Sequence, residues 1–410
     1  MKKYKLQIIL VVAVAAMYSC NGDIYDNINE MVDSGTVYPA AYKQQYVIAR
    51  SGTERVEIDL DSIRLSASEM ARRMPKAKKT VVEYGDVRLV IDSVCSWVNV
   101  TNLTVPNTYR FVIYTENEWG DKSIPVEVRQ KPFTSADREA LVFTSSATAS
   151  VSTGIVNITP APELYTLYSV RYSYTDRDDV KQSGETKGLN FILNNLKSGA
   201  STVTNVSCQL LPIGAIDTVW LDGNVELKTM TQAAFDNYLN ETEPFPRGTH
   251  HILSAAAPLT LLAADFDYGG NGKAWFKNGR YMSGSAYRRD NGDSDCLVGF
   301  GYGGPSYPND IQSAQPGDWL AYTIEVQDPG EYNIECQYAT AVTNSKAIVT
   351  FDALDYTGAI PLPYSGSDWK ISLWANLGTP VYLDAGKHKV KFTMVDRECG
   401  LHYLRFTKVQ

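Results

Sequence analysis

Basic residues are short in this chain. Lys and Arg number 38 against 46 Asp and Glu, a formal charge of −8 over 410 residues. Lys2, Lys3 and Lys5 lie at the extreme N-terminus, and a chain trimmed of them would carry about −11. That acidic balance opposes nucleic acid as a partner, because neutralising phosphates needs an excess of clustered Lys and Arg. Histidine is scarcer still: His250, His251, His388 and His402 form no H-E-x-x-H or comparable ligand set. Six cysteines, at 20, 95, 208, 296, 336 and 399, show no C-x-x-C spacing, which argues against zinc. A bridge among Cys296, Cys336 and Cys399 is open at this level. G-x-S-x-G and Walker motifs are missing as well. Past the first twenty residues no segment reaches the roughly 20 apolar residues that a membrane helix needs.

Helical patterning is brief, confined to 66–73 and 231–239. The remainder reads as β. Alternating apolar runs occur at 56–60, 80–84 and 87–91, with Gly85-Asp86 as the turn between the last two. Further runs follow at 154–158, 168–174 and 218–221. Tyrosine is abundant, 26 residues beside 7 Trp, and suits both sandwich cores and sugar-stacking surfaces. The stretch 240–248, rich in Pro and charge, reads as a linker. The fold class expected is all-β and multidomain.

At the N-terminus, three lysines precede an apolar run over 8–17, about half the length of a membrane span. This pattern is a secretory signal. It ends in Met17-Tyr18-Ser19-Cys20, which resembles a bacterial lipobox. That resemblance implies a signal peptide over 1–19, acylation of Cys20, an acidic tether over 20–38 and anchorage in the outer membrane, facing the cell surface. Two or more acyl chains make such anchorage stable.

Leu103, Pro106 and Tyr109, followed by the strand 110–114, resemble the late strands of a fibronectin type III domain. There a tyrosine hydroxyl bonds back to the chain, a tyrosine corner. The resemblance implies one sandwich at 39–132 and a second immunoglobulin- or fibronectin-like domain at 133–240. Together with the tether and the strand 216–222, residues 20–240 resemble the paired N-terminal domains of surface lipoproteins from polysaccharide-utilisation systems.

After a linker at 241–257, residues 258–410 carry three ordered blocks. They run from Asp265-Phe266-Asp267 to Trp275, from Pro316-Gly317-Asp318-Trp319 to Tyr332, and from Ala385-Gly386-Lys387 to Phe406. The blocks resemble a family 6 carbohydrate-binding module, which implies a jelly-roll sandwich. Burial frequencies put Trp319 and Trp374 in its core. The family sandwiches a sugar ring between a loop Trp and an opposing aromatic. Trp369 falls where that Trp is expected; Tyr307, then Tyr302, is the nearest candidate for the partner, and His402 for a late polar contact. The family's calcium-holding Glu pair is replaced by Leu262 and Ala264, so a structural calcium would depend on Asp265, Asp267, Asp290 and Asp293. No other cofactor is expected.

The resemblances imply a lipid-anchored surface protein that captures polysaccharide or oligosaccharide for a neighbouring transporter or hydrolase, without catalysing a reaction itself. Two other readings stand beside it: an adhesion lipoprotein with protein partners, and a glycoside hydrolase, which would need a carboxylate pair across the scissile bond.

Overall fold

A computed structural model describes residues 38–277, 287–288 and 310–409. The leader, Cys20 and the tether up to residue 37 lie outside the described residues. The chain divides into two compact units. One holds residues up to 144 with 160–169 and 207–221; the other holds 145–159, 170–206 and everything from 222 onward.

In the first unit, Arg55–Asp59 pairs antiparallel with both Ile48–Gly52 and Trp97–Thr101. Val56 and Ile58 stand opposite Val100 and Val98 in that register, so alternate residues supply one apolar face. A four-stranded sheet in the order Val87–Ile91, Lys79–Tyr84, Tyr109–Glu116, Val126–Gln130 supplies the other. Val82, Phe111 and Ile113 join Val56, Ile58 and Val98 in one core. The helix Ala67–Arg73 starts at a capping box between Ser66 and Glu69 and ends on Arg72 and Arg73, which complement the helix dipole.

The tyrosine corner expected at Tyr109 is not formed. Its ring packs on Tyr84 and Phe111, with centroids at 6.2 and 6.1 Å, and its hydroxyl makes no hydrogen bond among the described residues. The hydroxyl that ties this sandwich is that of Tyr42, shared with Thr80 Oγ1 at 2.6 Å and donated to the Cys95 carbonyl at 3.0 Å.

A further four-stranded sheet runs in the order Lys181–Thr186, Tyr165–Thr175, Ser201–Pro212, Val219–Lys228. In the second unit Gly154–Thr159 lies between Asn190–Leu193 and Thr144–Ala149. Helix Gln232–Asn240 is capped by the Thr231 hydroxyl. A third helix, Ser135–Glu139, was not expected from the sequence.

The rest of the second unit is a two-sheet sandwich. One sheet orders His251–Leu253, Trp319–Val326, Gly386–Asp396, Ser345–Phe351 and Leu354–Asp355, with Trp275–Phe276 and Ile360–Leu362 attached at its sides. The other orders Leu259–Leu262, Cys399–Lys408, Gly330–Ala339 and Leu373–Asn376, joined by Ile311–Ala314 and Val381–Leu383. Paired residues set the inner faces: Leu320 with Phe392 and Tyr322 with Val390 on one sheet, Ile334 with Phe406 and Cys336 with Leu404 on the other. All eight lie in one core.

One expectation is corrected here and one open alternative is decided. The span 241–257 is not a free linker, because His251–Leu253 pairs in parallel with Ile324–Val326 as a strand of the sandwich. Cys336 and Cys399 are buried free thiols and do not bridge; Cys296 lies outside the described residues.

Candidate functional site

The loop from 363 to 372 leaves the strand Ile360–Leu362 of one sheet and enters Leu373–Asn376 of the other. Its sequence is built for a turn. Gly366 sits at φ +138°, where a side chain is strained, and a Cβ there would lie 2.9 Å from Ile371 Cδ1. The Asp368 carboxylate accepts from the Lys370 amide at 3.0 Å, and its carbonyl accepts from the Ile371 amide at 3.0 Å. Trp369 is therefore held at the turn's crest, half-buried, between Tyr364 at 48% exposure and Ile371 at 47%.

The loop is pinned from beneath. Ser365 donates its amide to the Thr340 carbonyl, and its hydroxyl accepts from the Thr340 amide at 2.8 Å. Tyr338 donates its hydroxyl to the Pro363 carbonyl at 2.8 Å. Thr340 is itself fully buried and donates to the Glu398 carbonyl at 2.8 Å, as Ser345 does at 2.9 Å. Such anchoring presents a ligand with an already ordered surface, which lowers the entropic cost of binding.

His402 does not join Trp369 at the surface. It is 1% exposed, with Nδ1 3.9 Å from Asp310 Oδ2, and burial pushes its pKa down to about 4. As a rim contact for a sugar it is corrected to an internal, neutral imidazole. Tyr302 and Tyr307 lie outside the described residues.

Neither tryptophan assigned to the core is there. Trp319 precedes the inward-facing Leu320 and is thereby turned outward, half-buried. It stacks with Phe276 at 6.5 Å and 18°, and Lys391 Nζ lies 3.9 Å from its ring centre. Burial holds the Lys391 amine below its ordinary pKa. Trp374 pairs with Gln337, whose neighbours Cys336 and Tyr338 point inward, so it lies on the outer face of its sheet at 39% exposure. The Arg405 guanidinium stacks over it at 4.0 Å and is ion-paired with Glu335 at 2.7 Å. Strand parity around Leu320 was a legible signal for Trp319; for Trp374 the partner strand had to be known.

Among the described residues, the aspartates nominated for calcium are already engaged and do not fit the ion. Asp267, wholly buried, accepts from the hydroxyls of Thr242 and Thr323 at 2.6 Å each and from the Thr323 amide at 2.9 Å. Burial, only partly offset by these donors, raises its pKa. Asp265 accepts from the Tyr287 hydroxyl at 2.6 Å, and burial raises its pKa too. Arg288 donates to the carbonyls of Phe266 and Asp267 at 2.5 and 3.1 Å, so a fixed cation already serves that backbone. Asp290 and Asp293 lie outside the described residues. Among the described residues no three metal-capable side chains cluster.

Comparison with known proteins bears on the second unit. The model of a carbohydrate binding module (family 6) matches residues 303–408, which identifies a module of that family in this part of the chain. Among solved structures, a family 35 carbohydrate binding module from Clostridium thermocellum is similar at 12% identity and TM-score 0.26, covering 38% of this chain and 100% of that one. The C-terminal family 6 module of a marine laminarinase from Zobellia galactanivorans is similar at 16% identity and TM-score 0.26, covering 37% and 100%. A module of lichenase 5A from Cellvibrio mixtus, solved with cellotriose, is similar at 17% identity and TM-score 0.26, covering 37% and 97%. No curated protein matches.

Proposed function

We propose that this chain is a surface glycan-capture protein, in which the sandwich beyond residue 258 holds polysaccharide through Trp369. The observation that carries this reading is a half-buried Trp at the crest of a pinned loop, inside a segment matched by a carbohydrate-binding family. Sugar rings pack their C–H faces on such aromatics while their hydroxyls reach neighbouring polar groups.

The remaining parts follow from the sequence. Cys20 is the lipid attachment point, 20–38 is the tether, and the N-terminal sandwiches are spacers that keep the module clear of the outer membrane. Capture serves a neighbouring transporter or hydrolase, and this chain performs no hydrolysis. Fractionation of cells carrying Cys20→Ser tests the anchor: the variant leaves the membrane fraction, and its retention there contradicts the assignment.

A glycan array probed with the full chain and with Trp369→Ala tests capture. Truncating a central aromatic contact costs about 2 kcal/mol or more, roughly a thirtyfold loss of affinity. Affinity unchanged for every glycan that the parent binds, in a variant with unchanged melting temperature, overturns the role of Trp369. The adhesion reading is favoured by one observation, the Trp374–Arg405–Glu335 cluster, whose composition is that of protein-interface hot spots. Glycan binding lost on Trp369→Ala but untouched by Trp374→Ala decides for capture.

A further inference from the structure

A cleft of about 690 Å³ opens within the second unit, away from the Trp369 loop. Its walls come from three stretches remote in sequence: 150–153 with 196–198, the helix Gln232–Asn240, and the sandwich residues 352–356 and 382–388. The volume lies within the range of roughly 300–1,000 Å³ typical of small-ligand sites.

The walls are tied together by buried polar contacts. Ser152 Oγ donates to Asp384 Oδ2 at 3.0 Å. Lys389 donates its amine to the Tyr238 carbonyl and lies over the Tyr238 ring at 4.5 Å. His388, 8% exposed, donates from Nδ1 to Asp352 Oδ2 at 2.6 Å and from Nε2 to the Asp384 carbonyl at 2.8 Å. The cleft is thus a built feature: Ser152–Asp384 and Lys389–Tyr238 each tie the sandwich wall to another wall, and His388 braces the sandwich wall internally.

Its floor holds a polar group with nothing to bond. Ser150 is 3% exposed, lines the cleft, and its hydroxyl meets no partner among the described residues. Its backbone is fixed on both sides, the amide donating to Thr153 at 2.8 Å and the carbonyl accepting from Met230 at 2.9 Å. A buried hydroxyl left unpaired costs about 1–3 kcal/mol, a deficit that favours its rotation into the cleft once a ligand there supplies the missing bond.

The surrounding chemistry selects the ligand class. Arg177, Lys197 and Lys387 line the cleft as donors, and Asp236, Asp352 and Asp384 as acceptors, while Phe235 and Tyr382 add aromatic surface. An anion would face the three carboxylates and a cation the three basic side chains. A polyhydroxylated neutral molecule, each hydroxyl both donor and acceptor, matches both sets. We propose that this cleft is a second carbohydrate site, independent of Trp369, that takes a short neutral oligosaccharide.

The test is calorimetric titration of the full chain with four trisaccharides: α-1,4-, β-1,3- and β-1,4-linked glucose, and β-1,4-linked mannose. Trp369→Ala should leave one site for at least one of them. Adding Ser150→Val, Asp236→Ala or Lys387→Ala should then weaken that site at least tenfold. Asp236 and Lys387 are exposed, so their variants remain folded even where Ser150→Val does not. Loss of all binding in Trp369→Ala alone overturns the second site and upholds the first. Binding insensitive to Trp369→Ala but removed by Lys387→Ala upholds the cleft and overturns the loop. Residual binding indifferent to all three cleft variants overturns the cleft assignment.

Discussion

Acid should destabilise the second unit through one histidine. His402 is 1% exposed, and burial pushes its pKa down to about 4 from an ordinary 6.5. The unfolded chain binds a proton at this residue near pH 6.5, whereas the fold resists protonation until about pH 4. Above pH 6.5 both states are neutral and the fold bears no penalty. Between 6.5 and 4 the unfolded state gains progressively, and below 4 the loss levels off. A gap of about 2.5 pH units at 1.36 kcal/mol each amounts to ~3 kcal/mol. For a unit of this size that is a fall in melting temperature of roughly 6–12 °C. Carboxylates titrate in the same window, and Asp310 Oδ2 lies 3.9 Å from the imidazole. The measurement is therefore a difference: thermal unfolding of the wild type and of His402→Gln at half-unit steps from pH 7.5 to 4.0. The variant should lose several degrees less than the wild type across that range. Parallel curves, the variant falling as far as the parent, would refute a neutral buried imidazole at this position.

His388 predicts the opposite sign. Burial lowers its pKa most strongly of any single cause, but the hydrogen bonds and charges of Asp352 and Asp384 together outweigh it and leave the value raised, so its stabilisation is complete below pH 6.5 and lost as pH rises through the raised value. Asp352→Asn removes the counter-charge of a buried cation and should cost about 3 kcal/mol at pH 6, with a shrinking difference toward pH 9, read by thermal unfolding. Gly366→Ala should displace the Trp369 loop, since its Cβ would meet Ile371 and its φ is unfavourable. Glycan affinity should fall about tenfold with a melting shift of only a degree or two; unchanged affinity in a binding chain argues that the loop is not the contact.

Most of the β-structure was legible because alternation is a local signal. The runs at 56–60, 80–84 and 87–91 appear as Arg55–Asp59, Lys79–Tyr84 and Val87–Ile91. The helices at 67 and 232 were marked by Ser66 and Thr231, residues whose hydroxyls accept from backbone amides. Ser135–Glu139 escaped because five residues carry no apolar period, only the Thr134–Asp137 cap. The strand His251–Leu253 escaped for a different reason. Two histidines beside a Pro-rich stretch read as linker, and only the parallel pairing with Ile324–Val326, some seventy residues on, makes them a strand.

The candidate site was less legible, and the reason is geometric. Whether a strand residue faces inward follows from its own neighbours, so Leu320 and Tyr322 facing the core place Trp319 outside; composition alone had put it in the core. What an outward residue does depends on the strands beside it. Trp374 gains Arg405 only because Leu373–Asn376 and Cys399–Lys408 flank the same strand, Gly330–Ala339. His402 shows the converse: a polar residue near the chain's end reads as rim, but its strand pairs on both edges, with Gly330–Ala339 and with Ile311–Ala314, and its side chain is enclosed. The cleft is further still from any local signal, because Ser150, Asp236 and Lys387 share no motif, spacing or strand. Residue type nominates a binding surface, and the pairing of strands distant in sequence decides which nominees meet.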